Sequence, residues 1–389
     1  MRPGNPPEKQ ILDRSRLRYL WPEAPGQEAA TRTHMKTKHP PVTALRMAAQ
    51  QLTRPGFDHP AELVAWMGAM QAQAPAMARW AVGLRLRHPE AAAVDGALAR
   101  GEILRTHVMR PTWHLVAADD IRWMLALSRK RLRSAYTSLG KGHGFDISDR
   151  LCARACEQIV RMLEGGRHLT RQEIGEELAA AGIEAENRQV THFLMLAEND
   201  AIVCSGADRG SSNTYALLSE RAPRARELPR EEALGTLARR YFRSHGPASE
   251  ADFVWWSGLS LTETREAIAL AGSELVAEQT AGRTLYLHRD CPAARGGAIH
   301  LLPAYDEYLI GYKDRCDALA AEHQPKAFNN WGIFKPVVLC DGRIVGNWDP
   351  AAQRKATGTD VSVFESHPAL DDTRLKEAQA RFRAFAGRQ

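Results

Sequence analysis

LTRQEIGEELAAAGI (169–183), ENRQVTHFLMLAEND (186–200) and IVCSGADRGSSNTYALLSE (202–220) follow one another in the middle of the chain. Thr170 with Glu173 three residues on is a capping box, so a helix starts there. A short turn leads to a second helix. The pattern then changes to two short apolar runs around a Gly/Ser/Asp loop, a hairpin. Helix, turn, helix, hairpin is the order of a winged helix.

The same order recurs on both sides. Downstream, ARRYFRSHGPASEADFVWWSGLSLTETREAIALAG (238–272) spells three helices, and ELVAEQTAGRTLYLHRD (274–290) a hairpin. Upstream, Leu45, Ala48, Ala49 and Leu52 fall on one helical face. Leu63, Trp66, Met67 and Met70 fall on a second, which places Gln71-Ala72-Gln73 at that helix's end. Two more helices start near Ala76 and Pro89. ILRTHVMRPTWHLVA (103–117) then reads as a hairpin with a tight turn at Arg110-Pro111. That turn pairs Met109 with Thr112 and His107 with His114. Asp119-Asp120 is expected to cap the following helix, which carries SRKRLR at 128–133.

The last ninety or so residues differ. AIHLLPAYDEYLIGY (298–312), KPVVLCDGRIVGNWD (335–349) and DVSVFE (360–365) read as strands, with Asp341-Gly342 as a hairpin turn and a closing helix near 372–386. The expected class is α+β: three tandem winged-helix modules followed by a small β-rich, barrel-like C-terminal domain. The expected division is a disordered leader (1–40), a first module with its linker helix (41–150), a second (151–228), a third (229–295) and the C-terminal domain (296–389). The leader is rich in Pro, Gly and charge, and either Met1 or Met35 is the native start.

Composition bounds the function. Hydrophobic residues make up 44% and charged residues 25% of the 389, as in globular proteins. No apolar run approaches a membrane span, and no signal-peptide core is present. The six cysteines form no CxxC pair, so no structural zinc and a reducing, cytoplasmic setting are expected. The net charge is +6, and residues 77–145 hold twelve Lys/Arg against five Asp/Glu. A basic excess confined to one region suits a phosphate-facing surface. Arg79, Arg85, Arg87, Arg110, Arg129, Lys130, Arg131 and Arg133 are the candidate phosphate contacts, and Thr112 and His114 on the first hairpin are candidates beside them. A solvated helix face is the plainer reading of any one of these arginines.

No GxSxG, HExxH, Walker or Rossmann signature is present, and the fourteen histidines do not cluster at metal spacing. No metal and no cofactor are expected. Several segments carry a resemblance: MQAQAPAMARWAVGLRLR (70–87), THVMRPTWHLVAADDIRWM (106–124), RSHGPASEADFVWWSGLS (243–260), LLPAYDEYLIGYKDR (301–315) and KPVVLCDGRIVGNW (335–348). The chain resembles the winged helix DNA-binding domain family that contains the AlkZ-type DNA glycosylases, over about residues 43–389. The resemblance implies that Gln71 and Gln73 hold the nucleophilic water. It also implies that Asp306, Tyr308 and Arg315 lie near the DNA cleft. Gln73 stands where a related subgroup has an acid, which points toward bulky N7-alkylguanine lesions and interstrand crosslinks. The partner so implied is double-stranded DNA containing alkylated bases, bound by a monomer in the bacterial cytosol. A non-catalytic winged-helix DNA binder, such as a transcription regulator, and a scaffold that binds no DNA are the competing readings.

Overall fold

The computed structural model describes residues 41–144, 148–293, 298–354, 361–364 and 370–387. The expected leader lies outside these residues. The fold is mixed α/β. Helices Val42–Ala49, Pro60–Met67, Pro75–Gly83 and Ala91–Arg100 come first. Pro60 and Pro75 sit in the first helical turn, where the missing N–H costs no hydrogen bond. Gly68, at φ 79°, ends the second helix. The chain therefore leaves that helix two residues before Met70. Met70–Gln71 forms a short strand, not the helix end expected from the apolar period. It lies on the outer side of Trp113–Ala117, which pairs in turn with Ile103–His107.

The register of this hairpin also differs from expectation. Thr106 faces His114 and His107 faces Trp113. The two histidines thus project from opposite faces of the sheet. The reason is a longer connection: Arg110 N–H bonds to Val108 O and Thr112 N–H to Arg110 O, both at 2.7 Å, with Met109 at φ 61°. Two successive tight turns occupy residues 108–112, where the sequence suggested one.

Helix Ile121–Gly142 leads to the second unit. Asp120 precedes it without capping it by a side-chain bond. Its buried carboxylate instead accepts from Trp123 Nε1 and from Arg226 and Arg240. The second unit has helices Asp149–Leu163, Arg171–Ala180 and Asn187–Asn199, with strands Leu169–Thr170, Val203–Ser205 and Thr214–Leu217 in one sheet. The Thr170/Glu173 capping box is formed. The third unit has helices Arg230–His245, Glu250–Ser257 and Leu261–Ala271, then the hairpin Leu275–Thr280/Arg283–His288.

The C-terminal sheet is open. Its order is Val361–Val363, Arg343–Trp348, Val337–Cys340, Ile299–Leu302, all antiparallel, and its two edge strands do not pair with each other. The expected barrel-like curl is therefore corrected: four strands are too few to close round a filled interior. Helix Asp372–Ala386 packs beside the sheet, with Phe382 4.7 Å from Trp348 and 5.4 Å from Trp80 between ring centres. Residues 304–312 are not strand either. Asp306 N-caps a short helix, Glu307–Ile310.

Cores cross the order of the chain. One apolar cluster joins the first helices (Met67, Trp80) to the last sheet (Leu301, Trp348). A second joins the first hairpin (Leu104, Val116) to the third unit (Tyr241, Trp256). The first hairpin and the Met70–Gln71 strand are thereby sandwiched between parts of the chain far away in sequence. Among the described residues no helix is long and apolar enough to cross a membrane.

Candidate functional site

The short strand carries Gln71 into the sandwich, and Gln73 follows two residues beyond it. Gln71 is 4% exposed and pairs with His114 across the sheet. Its side-chain carbonyl accepts from Arg110 Nη2 at 3.0 Å. Gln73 is exposed, and its side-chain carbonyl accepts from the Trp113 backbone N–H at 2.8 Å. That bond continues the ladder one step beyond Ala72 N–H to Trp113 O. Each amide oxygen is thus fixed by one donor from the same hairpin. Each keeps a second lone pair.

A buried carboxylate lies behind them. Glu307 Oε1 accepts from the Gln71 backbone N–H at 2.6 Å. Its Oε2 accepts from Trp256 Nε1 at 3.1 Å and from His245 Nε2 at 3.3 Å. Burial opposes ionisation of Glu307. Its pKa is nevertheless lowered, first by His245, then by the Gln71 N–H and by Arg110. Burial lowers the pKa of His245, and its contact with the Glu307 carboxylate counters that. Sequence reading singled out Asp306 and Tyr308 but passed over Glu307 between them. The available signal was a second carboxylate, Glu307, directly before the apolar run YLIGY (308–312), since a carboxylate drawn into an apolar setting requires internal donors.

Arg110 stands opposite. Burial lowers its pKa, and Glu307 counters that. Its Nε and Nη1 and the Thr112 hydroxyl are buried without a hydrogen-bond partner. His114 Nδ1–H donates to Thr112 O at 2.9 Å, so its Nε2 lone pair faces Arg110 Nη2 at 3.5 Å. Burial, then Arg110, lowers the His114 pKa to about 3. The result is a neutral amide, Gln71, between a cation and an anion.

The other sequence candidates divide sharply. Arg85 and Asp306 are 0% and 1% exposed at their side chains and form a two-pronged ion pair at 2.7 and 2.9 Å. No phosphate reaches either, so their expected DNA contact is corrected to an architectural one. Tyr308 is likewise buried, its hydroxyl donating to Gly342 O at 2.9 Å. Arg131 donates to Met109 O at 2.6 Å and Ser257 O at 3.2 Å, anchoring the loop that carries Arg110. Gly258 makes that approach possible: its φ is +69°, and a Cβ there would stand 2.9 Å from Met109 O. Arg315 is buried over the rings of Trp255, Phe328 and Phe334, and burial lowers its pKa to about 10. Arg79 bridges Asp95 and Asp208, Arg87 pairs with Asp58, and Arg129 and Arg133 share Asp200. Lys130 is exposed, lining a groove of about 1450 Å³ with Arg131 and Arg230. Among the described residues no three His, Cys, Asp or Glu side chains come together as a metal-ligand set.

Two buried histidines give a pH dependence. His114 and His300 each have a pKa near 3 in the fold, chiefly through burial. Unfolded histidine titrates near 6.5. Between about 3 and 6.5 the unfolded chain therefore binds the extra protons, and stability falls as pH falls through that window. The urea midpoint is expected to drop from pH 7.5 to pH 5. His300→Gln should flatten that slope by up to one proton's worth, about 1.4 kcal/mol per pH unit. Parallel slopes for the two proteins would discard this assignment.

Comparison with known proteins bears on this site. The family described as DNA glycosylase AlkZ-like matches residues 64–385. An interstrand DNA cross-link repair glycosylase of Streptomyces sahachiroi is 28% identical over 331 residues, spanning 81% of this chain and 88% of that protein. The solved structure of Streptomyces sahachiroi DNA glycosylase AlkZ superposes with a TM-score of 0.74 at 25% identity, over 89% of this chain and 96% of that one.

Proposed function

The chain belongs to the AlkZ-like DNA glycosylase family, and from that membership we propose that it hydrolyses the N-glycosidic bond of cationic alkylated bases with a water held by Gln71 and Gln73. N7-alkylguanine, alone or within an interstrand crosslink, is the substrate class. The observation that carries this reading is the pinning of both glutamine carbonyls, by Arg110 and by the Trp113 N–H. A carbonyl fixed before substrate arrives needs no reorganisation during reaction.

The chemistry follows from the charges. An N7-alkylated purine is already cationic and leaves as a neutral base. The sugar left behind is oxocarbenium-like and accepts a neutral water. The C–N bonding pair goes to the base, the water oxygen bonds to C1′, and as positive charge grows on that oxygen its proton passes to solvent water. The free lone pairs of Gln71 and Gln73 orient the water and stabilise that charge. Glu307 offsets Arg110, whose cation would otherwise oppose the developing charge on the sugar. Lys130, exposed on the following helix, suits the DNA backbone.

The three helix–sheet units are read as tandem winged helices bounded at 41–150, 151–228 and 229–295, with 296–389 as the C-terminal domain. The enzyme is read as a cytosolic monomer acting on double-stranded DNA. Each unit places an antiparallel hairpin after a set of helices, which supports the reading.

The test is release of 7-methylguanine from methylated duplex and unhooking of N7-linked crosslinks, scored without heat or base. Glu307→Gln keeps an acceptor for the Gln71 N–H but removes the charge. We expect single-turnover release to slow by about tenfold, or ~1.4 kcal/mol, with DNA affinity unchanged. A wild-type rate in that variant removes Glu307 from the electrostatics of the reaction.

A further inference from the structure

Between the short helix Gln324–Ala327 and the strand Val337–Cys340 the chain projects a small, tightly built loop. Phe328 and Phe334 close its base as an antiparallel bridge, with rings stacked 5.1 Å apart. Asn329 Oδ1 accepts from the backbone N–H of Trp331 at 3.0 Å and of Ile333 at 3.1 Å. Asn329 N–H bonds to Ile333 O, and Gly332 N–H to Asn329 O, each at 3.1 Å. Gly332, at φ 73°, lets the chain turn back. Four hydrogen bonds within the loop therefore hold its backbone.

That tip is apolar and uncovered. Trp331 is 42% and Ile333 43% exposed, and Trp331 is the one aromatic among the large exposed hydrophobic side chains of the described residues. Lys326 and Lys335 flank it, and residues 324–335 contain no Asp or Glu. An exposed aromatic between cations is complementary to a base stack between two phosphate strands.

The loop also stands on the same platform as the glutamines. Phe334 packs on Tyr305, and Arg315 lies over Phe328 and Phe334. Tyr305 is two residues from Glu307, which bonds the Gln71 backbone. Met70–Gln71 and the Trp331 loop are thus braced by one segment, 305–315.

We propose that Trp331 is a wedge that enters the base stack of duplex DNA beside the nucleotide presented to Gln71 and Gln73. The proposal rests on the reading of the glutamines as the reacting site, because that fixes which nucleotide lies next to the wedge. A rigid indole loses little conformational freedom on insertion and replaces the stacking that it breaks. Ile333 widens the wedge, and the two lysines meet the flanking phosphates.

The test uses the full-length protein and a duplex carrying 7-methylguanine on a 2′-fluoro sugar, which resists cleavage, with thymines on either side. Binding of the wild type should make an adjacent thymine reactive to permanganate, the sign of an unstacked base. Trp331→Ala should abolish that reactivity and weaken binding by between about fivefold and a hundredfold. Trp331→Phe should recover most of both. The side chain is exposed, so the melting temperature should not move. Unchanged affinity and reactivity overturn the proposal. So does lost affinity with reactivity intact, which marks a surface contact. A change in oligomeric state with DNA affinity intact overturns it too, and marks a self-association face. The readouts are binding and unstacking on uncleaved DNA. A failure of the glutamine mechanism would appear separately, as base release that survives loss of Gln71 and Gln73.

Discussion

Gln71→Ala combined with Gln73→Ala is expected to abolish release of 7-methylguanine, a loss of at least about a hundredfold, while the protein still binds duplex DNA. The two side chains present their carbonyls from one edge strand and the residues just after it, each fixed by a hairpin donor at 3.0 and 2.8 Å. Alanine removes both oxygens that would orient the water and stabilise its developing charge. It leaves the DNA-facing cations in place, so affinity should survive. The single variants differ in an informative way. Gln73 is exposed, and its removal frees only the Trp113 N–H, which water can satisfy. Gln73→Ala should therefore reduce release with little change in melting temperature. Gln71→Ala also strips Arg110 of its nearer side-chain acceptor, leaving His114 Nε2 at 3.5 Å. A buried guanidinium that loses a good acceptor adds a stability cost of about 1–3 kcal/mol. Base release at the wild-type rate in the double variant would refute the water-holding role.

Asp306→Ala is expected to have the largest effect on stability, about 3–5 kcal/mol by urea unfolding. The Asp306 carboxylate meets Arg85 at 2.7 and 2.9 Å, and neither side chain is accessible. Arg85 also donates to Gln50 and to Ala81 O, so the ion pair ties the first helices to the 305–315 segment. Removing the carboxylate leaves a buried cation with neutral acceptors only. The same oxygen Oδ1 also caps the short helix by accepting from Tyr308 N–H at 2.9 Å. That helix presents Glu307 to Gln71, so activity should fall with stability. Asp306→Asn keeps a capping oxygen and should cost less. A loss below about 1 kcal/mol for Asp306→Ala would show that the surroundings solvate Arg85 well enough without it.

Much of the organisation was legible because it is local. The capping box at Thr170, the Asp341-Gly342 turn and the helix–hairpin order repeated three times each depend on neighbours a few residues away. The hairpin register at 103–117 was not legible. Met109 at positive φ and two consecutive tight turns shift it by one residue, and a bulky residue at positive φ carries no clear sequence signal. The basic count between 77 and 145 was legible, but its use was not. Arg85 went into the core, Arg131 onto a loop carbonyl, and Arg129 and Arg133 onto Asp200. Long-range acids decide such outcomes, and no spacing along the chain reveals them.

The sequence by itself determined most of the helices, the presence of the hairpins and the family resemblance, and it nominated the two glutamines. These depend on periodicity, caps and short motifs, which act within a turn or two. Only the tertiary structure decided what surrounds Gln71. Glu307 and Trp256 come from positions more than 180 residues away, and they meet the strand because the first hairpin is enclosed between the third unit and the C-terminal sheet. Burial at that junction keeps His114 neutral, holds Glu307 to its internal donors and leaves the neutral Gln71 between opposite charges. Dielectric and desolvation are properties of the packed assembly, and no local stretch of residues encodes them.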